Sequence, residues 1–321
     1  MDAERLDSTG GPRADELEIA VEELLISSTA FRTLMAADDP AGRLQAIVAR
    51  EGRFRDPETG AGGVLLGRVA TVGDKFHSDP EPRVGARIVT LLSLAGTPLR
   101  VERVLGIDPV RMAVRVDGTA FVPQGAPWIE PPADLASEIA LATLDVCGAP
   151  AHANRLARAG DDVVVLGAGK AGMLAALAAA ERGARLIMLE SRPERLEAVR
   201  AVLPLAGAAV VDATNPLAVH DVVYDLTGGR GSALTFSCVN VARAESAAFL
   251  STRDGGTVVY FSMSTDFARA ALGAESVQRD VLMVIGNGYL PGHASYALDL
   301  VRRHPEIHGL LQTSGKGGEA N

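Results

Sequence analysis

The sequence predicts an α/β protein in two parts, a small β-rich domain followed by a doubly wound, six-stranded parallel sheet with helices on both faces. Three observations carry that expectation. Val163–Leu166 is an apolar, β-branched run that ends in a glycine-rich turn and opens into an alanine-rich helix, Met173–Glu181. From there to Gly288, strand-like runs alternate with helical stretches, the pattern of a parallel sheet with crossover helices. Ahead of Glu130, strand-like runs follow one another across Gly, Pro and Asp turns with little helix between them.

Taken in order, the first domain (residues 1–133) carries a helical stretch at Asp39–Arg50 and strand-like runs at Val64–Val72, Ala86–Leu92 and Met112–Val116. After Glu130-Pro131-Pro132, the segment Asp134–Thr143 reads as a helix with Asp134 as its N-cap, and it opens the second domain, residues 134–288. That domain's strands are Val163–Leu166, Arg185–Glu190, Ala209–Asp212, Leu234–Cys238, Thr257–Phe261 and Val281–Ile285, the number a full dinucleotide-binding sheet needs. In the remainder, 289–321, a last helix at Ala294–Arg303 is expected to fold back on the first domain or on a partner subunit. The first dozen residues and the tail from Ser314 are expected to be disordered.

Composition narrows the function. With 321 residues, 47% of them hydrophobic, the chain has material for two cores. A net charge of -9, with acids spread along the chain, disfavours a nucleic-acid surface, so small molecules are the expected partners. Cys147 and Cys238 lie far apart and make neither a disulfide framework nor a zinc-finger pattern, which fits a reducing cytoplasm. Each reads as a buried small hydrophobe rather than a nucleophile. Met1–Gly11 lacks an apolar signal region, and no run of about 18 apolar residues occurs, so neither secretion nor membrane spanning is expected.

The turn Gly167-Ala168-Gly169-Lys170-Ala171-Gly172 has the GxGxxG spacing of the Rossmann dinucleotide grip. Gly167 permits the tight turn, Gly169 admits a pyrophosphate close to the backbone, and Gly172 lets the helix pack on the strand. Lys170 is placed to approach the phosphates or to start the helix in solvent. Glu190 ends the next strand where an acceptor for the ribose 2′-hydroxyl is expected, with Ser191 beside it. The acid favours NAD, while Arg192 and Arg195 just beyond could clamp the extra phosphate of NADP. Asn240, Ser262 and Asn287 each follow a strand's carboxyl end and are expected to face the nicotinamide.

Gly67–Gly73 followed by Pro82–Val89 resembles a stretch of the medium-chain dehydrogenase/reductase superfamily, which implies a GroES-like first domain. In its zinc-dependent members a His and a Glu would fall at Gly63 and Val64, and the first catalytic cysteine near Ser27. None of these residues is an adequate zinc ligand, and His304 and His308 enclose Pro305 without a third donor, so no metal is expected. The resemblance narrows at Asp56–Gly67, Leu91–Leu99, Ala140–Pro150, Asp212–Leu217, Leu250–Thr257 and Ala270–Glu275. These blocks, spread from Leu17 to Val301, are similar to the L-erythro-3,5-diaminohexanoate dehydrogenase family of lysine fermentation. The resemblance implies NAD(P)-linked oxidative deamination of 3,5-diaminohexanoate or a close β-amino acid, by a homodimer or homotetramer.

That chemistry without zinc needs a side chain to handle protons. Asp145, in the segment that carries the third zinc ligand of metal-dependent relatives, either serves as this acid/base or caps a turn. Ser93 and Thr97 either hydrogen-bond the reacting nitrogen or build a structural turn. Lys75, Arg68 and Glu138 are candidates for the substrate's charged ends, though solvated surface charge is the commoner role for such residues. Two other functions share the scaffold, a zinc-free NADPH quinone or enone reductase and a non-catalytic dinucleotide sensor. The residue blocks favour the amine dehydrogenase.

Overall fold

The computed structural model describes residues 3–262, 264–286 and 290–313. It divides into two compact units, the first made of the residues up to Asp145 together with Gln312 and Thr313, and the second spanning Val146–Leu311. The division therefore falls after the helix that follows the Pro-Pro segment rather than at residue 134.

The first unit holds β1 (Glu16–Ile26), α1 (Ser28–Met35), α2 (Pro40–Glu51), β2 (Gly63–Val72), β3 (Arg87–Thr90), β4 (Leu99–Asp108), β5 (Ala113–Pro123), β6 (Trp128–Ile129) and α3 (Ser137–Leu144). Its strands form one sheet in the order β4-β5-β1-β2-β3-β6, with β1 antiparallel to both β2 and β5. Strand β1 was not expected, because its apolar period changes parity. Leu17, Ile19 and Val21 enter the core, then a bulge between Val21 and Glu23 shifts the register and Leu24 and Ile26 enter instead. Glu23 is buried by that shift and receives both arms of the Arg111 guanidinium at 2.9 and 2.7 Å. Strand β4 was also missed, since Arg100, Glu102 and Arg103 interrupt its apolar positions on the sheet's outer edge.

Helix α2 starts as expected, with the Asp39 carboxylate accepting the Gly42 N–H at 2.9 Å and Pro40 in the first turn. Helix α3 starts later than Asp134, with Ala136 as its N-cap and no side-chain capping bond. The amino-terminal segment is ordered from Ala3 onward, contrary to expectation. Leu6 N–H donates to the Glu51 carbonyl at 2.8 Å, Arg100 donates to the Ser8 carbonyl at 3.1 Å, and Ser8 is buried. Ser314–Asn321 lie outside the described residues.

The second unit holds α4 (Gly148–Leu156), β7 (Asp162–Leu166), α5 (Lys170–Glu181), β8 (Arg185–Glu190), α6 (Pro193–Arg200), β9 (Leu205–Val210), α7 (Pro216–Leu226), β10 (Ser232–Ser237), α8 (Glu245–Ser251), β11 (Thr252–Tyr260), α9 (Phe267–Ser276), β12 (Val281–Ile285), α10 (His293–Arg303) and α11 (His308–Thr313). Six parallel strands stand in the order β12-β11-β10-β7-β8-β9, so the chain crosses from one side of β7 to the other after β9. The central strand β7 is buried along its length: Val164 and Leu166 enter a cluster with α7, α8 and α9, while Val165 meets α5 at Gly172 on the other face. Strand β9 lies earlier than the expected Ala209–Asp212, because Gly207, Ala208 and Ala209, with no β-branched side chains, form the ladder to β8. The last long helix, α10, packs on α4 within this unit, and Arg303 reaches Glu181 of α5 at 2.8 Å. No helix among the described residues is long and apolar enough to cross a membrane.

Candidate active site

In the second unit the turn between β7 and α5 is built by its glycines. Gly167 sits at φ +94, a region that strains any residue with a Cβ. A Cβ at Gly172 would collide with the Gly167 carbonyl and press on Val165. A Cβ at Gly169 would meet nothing within 4 Å, so open space lies where the backbone turns into the helix. Gly169 is the N-cap of α5 and gives the helix no side-chain acceptor, which leaves the first amides of α5 uncapped by the residue that precedes them. Lys170 is half-buried as the first helical residue. These features fit a dinucleotide pyrophosphate.

Glu190 is 7% exposed and its carboxylate is engaged within the unit. One oxygen accepts the Ala168 N–H at 2.8 Å; the other accepts the Ser191 N–H at 3.0 Å, the Ser191 hydroxyl at 3.2 Å and the Arg192 N–H at 3.2 Å. Glu190 thus staples the glycine turn to the end of β8. A shallow open cleft lies beside it, lined by Leu166, Leu189, Glu190, Ser191, Asp212 and Val239 among others. Its apolar walls, with the Glu190 and Asp212 carboxylates among them, suit the base and ribose of an adenosine moiety.

At the carboxyl ends of β10 and β11 the structure brings Asn240 and Ser262 together. The Ser262 hydroxyl donates to Asn240 Oδ1 at 2.9 Å and accepts the Ser264 N–H at 3.1 Å. Behind them stands Glu245, 2% exposed, with one oxygen accepting the Asp266 N–H at 2.9 Å and the other lacking a hydrogen-bond partner. Sequence reasoning missed Glu245; its signal was a lone acid opening the apolar stretch Ser246–Leu250. Asn287 lies outside the described residues. Burial pushes the Cys238 thiol up to about 12, so it stays protonated and unreactive at neutral pH. Cys147 is buried at the start of α4.

In the first unit Ser93 is exposed and caps a single helical turn, Leu94–Gly96, its hydroxyl accepting the Ala95 N–H at 3.3 Å. Thr97 is fully buried and donates its hydroxyl to the Ser93 carbonyl at 2.9 Å, so it holds this turn. Ser27 approaches the same place: its N–H donates to the Gly62 carbonyl at 3.0 Å, and a Cβ at Gly62 would stand 2.8 Å from the Ser93 hydroxyl. The Ser27 hydroxyl is buried, with no hydrogen-bond partner among the described residues. Beneath the turn, Arg53 is 1% exposed and donates to the Ala95 carbonyl at 3.2 Å and the Ala3 carbonyl at 2.5 Å. Sequence reasoning passed over Arg53 because a charged residue in the run Glu51–Arg55 reads as surface. Burial works against ionisation of the neighbouring Glu51, but hydrogen bonds and charge from Arg50 and Arg55 outweigh it and hold the carboxyl below its ordinary value.

Asp145 is the half-buried C-cap of α3, its N–H donating to the Leu141 carbonyl at 3.0 Å. It therefore does end a helix. Arg68 pairs with Glu22 at 3.0 Å, while Lys75 and Glu138 are exposed, so all three are surface charges. Among the described residues no group of three or more His, Cys, Asp or Glu side chains could hold a metal ion. The residues present do not fit a catalytic zinc.

Residues 171–286 match the zinc-binding dehydrogenase family, and residues 1–132 match the L-erythro-3,5-diaminohexanoate dehydrogenase N-terminal domain. Among solved structures, a mycobacterial protein complexed with NADPH superposes with a TM-score of 0.60 at 18% identity, covering 97% of this chain and 92% of that one. A zinc-dependent alcohol dehydrogenase from Streptococcus pneumonia gives 0.58 at 14% identity over 94% and 84%. The fold, with its glycine turn, is that of the medium-chain dehydrogenases/reductases. Among curated proteins, the L-erythro-3,5-diaminohexanoate dehydrogenase of Acetoanaerobium sticklandii is 35% identical over 299 residues, 90% of this chain and 87% of that protein. That of Fusobacterium nucleatum is 33% identical over 93% of this chain and 91% of that protein. Within the class, this chain belongs to the L-erythro-3,5-diaminohexanoate dehydrogenase family.

Proposed function

We propose that this protein is a nicotinamide-dependent amine dehydrogenase that converts L-erythro-3,5-diaminohexanoate, water and NAD(P)⁺ to 5-amino-3-oxohexanoate, ammonia and NAD(P)H. The observation that carries the reading is similarity along nearly the whole chain to two curated enzymes of that name, including the first unit where substrate-specific residues belong.

The cofactor's residues are the turn Gly167–Gly172 with Lys170 for the pyrophosphate, the cleft beside Glu190 and Ser191 for adenosine, and Asn240 and Ser262 towards the nicotinamide. A bound nicotinamide supplies the acceptor for the hydride that leaves the carbon bearing the 3-amino group. Asp145 takes the proton from the substrate ammonium, since only a neutral amine can release hydride, and then assists water onto the resulting carbon–nitrogen double bond before ammonia leaves. Ser93, exposed on a turn braced by Thr97, hydrogen-bonds the reacting nitrogen, and the unpartnered Ser27 hydroxyl is the second donor for that task. Ser27 stands near where the first catalytic cysteine of zinc-dependent relatives would fall.

The same reading makes the enzyme cytoplasmic, where its amino-acid substrate and the nicotinamide pool are found, and a homo-oligomer. Strand β12 is the open edge of the parallel sheet and exposes Leu282 (61%) and Ile285 (59%), a surface suited to a second copy of the chain. Light scattering is expected to give a dimer or tetramer, and Leu282→Lys to reduce its order.

The deciding experiment follows NAD(P)H formation by absorbance with chelator-treated protein and 3,5-diaminohexanoate. Turnover that survives chelator and collapses in Asp145→Asn supports the assignment. Turnover with quinones or enones and NADPH in place of the diamine would transfer the enzyme to the reductases, and tight dinucleotide binding with no turnover would make it a sensor.

A further inference from the structure

A guanidinium withdrawn from water loses its hydration and recovers it only through the acceptors that surround it. Arg53 is 1% exposed, and its partners are few for a group with five N–H donors. Nη1 donates to the Ala95 carbonyl at 3.2 Å and Nη2 to the Ala3 carbonyl at 2.5 Å, while Nε has no hydrogen-bond partner among the described residues. The acid beside it, Glu51, lies 3.6 Å from Nε and is also paired with Arg50 at 2.8 Å and Arg55 at 3.0 Å. An apolar side chain of similar size would fill the same space with less lost on burial. What the arginine does that such a residue could not is join the carbonyls of two distant segments.

One of those segments carries the Ser93 hydroxyl. Ala95 is the middle of the turn Leu94–Gly96, and its N–H donates to the Ser93 hydroxyl oxygen at 3.3 Å, which leaves the hydroxyl's own hydrogen for another acceptor. Arg53 therefore grips through its carbonyl the same residue that grips Ser93 through its N–H. Ala3 belongs to the amino-terminal segment, which is itself bound to the chain next to Arg53. Leu6 N–H donates to the Glu51 carbonyl at 2.8 Å, and Gly52, at φ +63, leaves no room for a Cβ against the Leu6 carbonyl. The Gly52 carbonyl in turn accepts the Leu99 N–H at 2.8 Å, just past the turn. Residues 51–53 thus tie the amino-terminal segment to the stretch 93–99, and the Arg53 guanidinium is the part of that tie that reaches the turn itself.

We propose that Arg53 is a positioning residue for the deamination: by fixing Ala95 against the amino-terminal segment, it sets where the Ser93 hydroxyl stands relative to the reacting nitrogen. The proposal rests on the reading of Ser93 as a hydrogen-bonding partner of that nitrogen. The test is a double-mutant cycle on kcat with 3,5-diaminohexanoate and NAD(P)⁺, measured well below each variant's melting temperature. Ser93→Ala is expected to lower kcat about tenfold. Arg53→Lys, whose single ammonium replaces a fork that spans two carbonyls, is expected to lower it about fivefold with KM for NAD(P)⁺ unchanged. Deletion of residues 2–5 takes away the Ala3 carbonyl and leaves the arginine; its expected effect is similar, and it carries the test if the lysine variant does not fold. In the Ser93→Ala background neither change is expected to lower kcat further. A merely structural role would not produce that coupling, because a general loosening multiplies with the loss of the hydroxyl. Wild-type kcat in a folded Arg53→Lys or in the deletion, or effects that multiply with that of Ser93→Ala, overturns the positioning role alone. Wild-type kcat in Ser93→Ala overturns the reading of Ser93, and absence of turnover in the wild type overturns the reaction itself, the proposal falling with either.

Discussion

The candidate site of the second unit is built mainly of backbone, whereas that of the first is built of side chains. Around Gly167–Gly172 the groups on offer are helix amides, and the residues that shape them do so by having no side chain or, like Glu190, by bonding to the main chain. Around Ser93 the groups on offer are hydroxyls carried on a loop, with Ser27, Gly62, Thr97 and Arg53 packed about it. A site made of backbone leaves a spacing in the sequence that only one geometry satisfies. A site made of side chains on loops leaves only residue types, and the same types build ordinary turns.

The sharpest way to test this contrast is to add a side chain where the second unit forbids one. In Gly172→Val the added atoms collide with the Gly167 carbonyl and the β7–α5 contact at Val165 is overpacked, so the variant should lose roughly 3 kcal/mol and all dinucleotide affinity. Gly169→Ala adds its methyl group to open space and should fold normally while binding NADH more weakly. Thermal melts together with NADH fluorescence separate the two. If Gly172→Val bound NADH normally, the turn would not be the grip.

Next in size is the staple. Glu190→Ala leaves the Ala168, Ser191 and Arg192 amides without their shared acceptor, at a cost of roughly 2–3 kcal/mol. Denaturant titration should show it, with Glu190→Gln in between. A variant as stable as wild type would mean that water replaces the carboxylate at little cost.

These variants also mark what the sequence could reveal. In the second unit Arg185–Glu190, buried along most of its length, is a strand at the expected bounds because such strands are written as continuous apolar runs, and Val281–Ile285 keeps an unbroken apolar run although it is an edge strand. In the first unit β1 and β4 were hidden, one by a bulge that reverses its alternation and buries Glu23, the other by charges on an edge strand. The site divides the same way. Glu190 ends β8 at the offset from the glycines that the sequence predicts, but its engagement with four donors from its own chain left no local signal. The Ser27–Gly62–Ser93 approach joins three segments distant in sequence, and no local pattern reports it.

Within the first unit, Ser93 and Thr97 should come apart. Ser93→Ala removes an exposed donor and should lower kcat about tenfold with no change in melting temperature. Thr97→Val strands the Ser93 carbonyl and should cost about 1 kcal/mol of stability, with kcat near that of wild type. The reverse pattern would return Thr97 to the substrate and reduce Ser93 to a turn residue.

The smallest expected effect concerns pH and again separates the units. His152 on α4 and His293 at the start of α10 are buried in the second unit, on helices that pack together. Burial holds both below their ordinary value of 6.5, and for His152 the Arg155 and His293 charges add to it. The His152 Nε2 has no hydrogen-bond partner, so the ring gains nothing from charging. Below about pH 6.5 the unfolded chain binds protons that the folded unit refuses, so this contribution is fully present above that pH and is lost as the pH falls towards the folded values. The Glu181 carboxyl, lowered by hydrogen bonds from Arg303 and His304 against the cost of burial, adds its own loss only at more acid pH, below its ordinary 4.5. Melting followed between about pH 7 and pH 5 should therefore fall for the wild type and fall less for His152→Leu, which removes one of the two rings. Identical slopes for the two proteins would show that His152 accepts its proton without disturbing the α4–α10 contact.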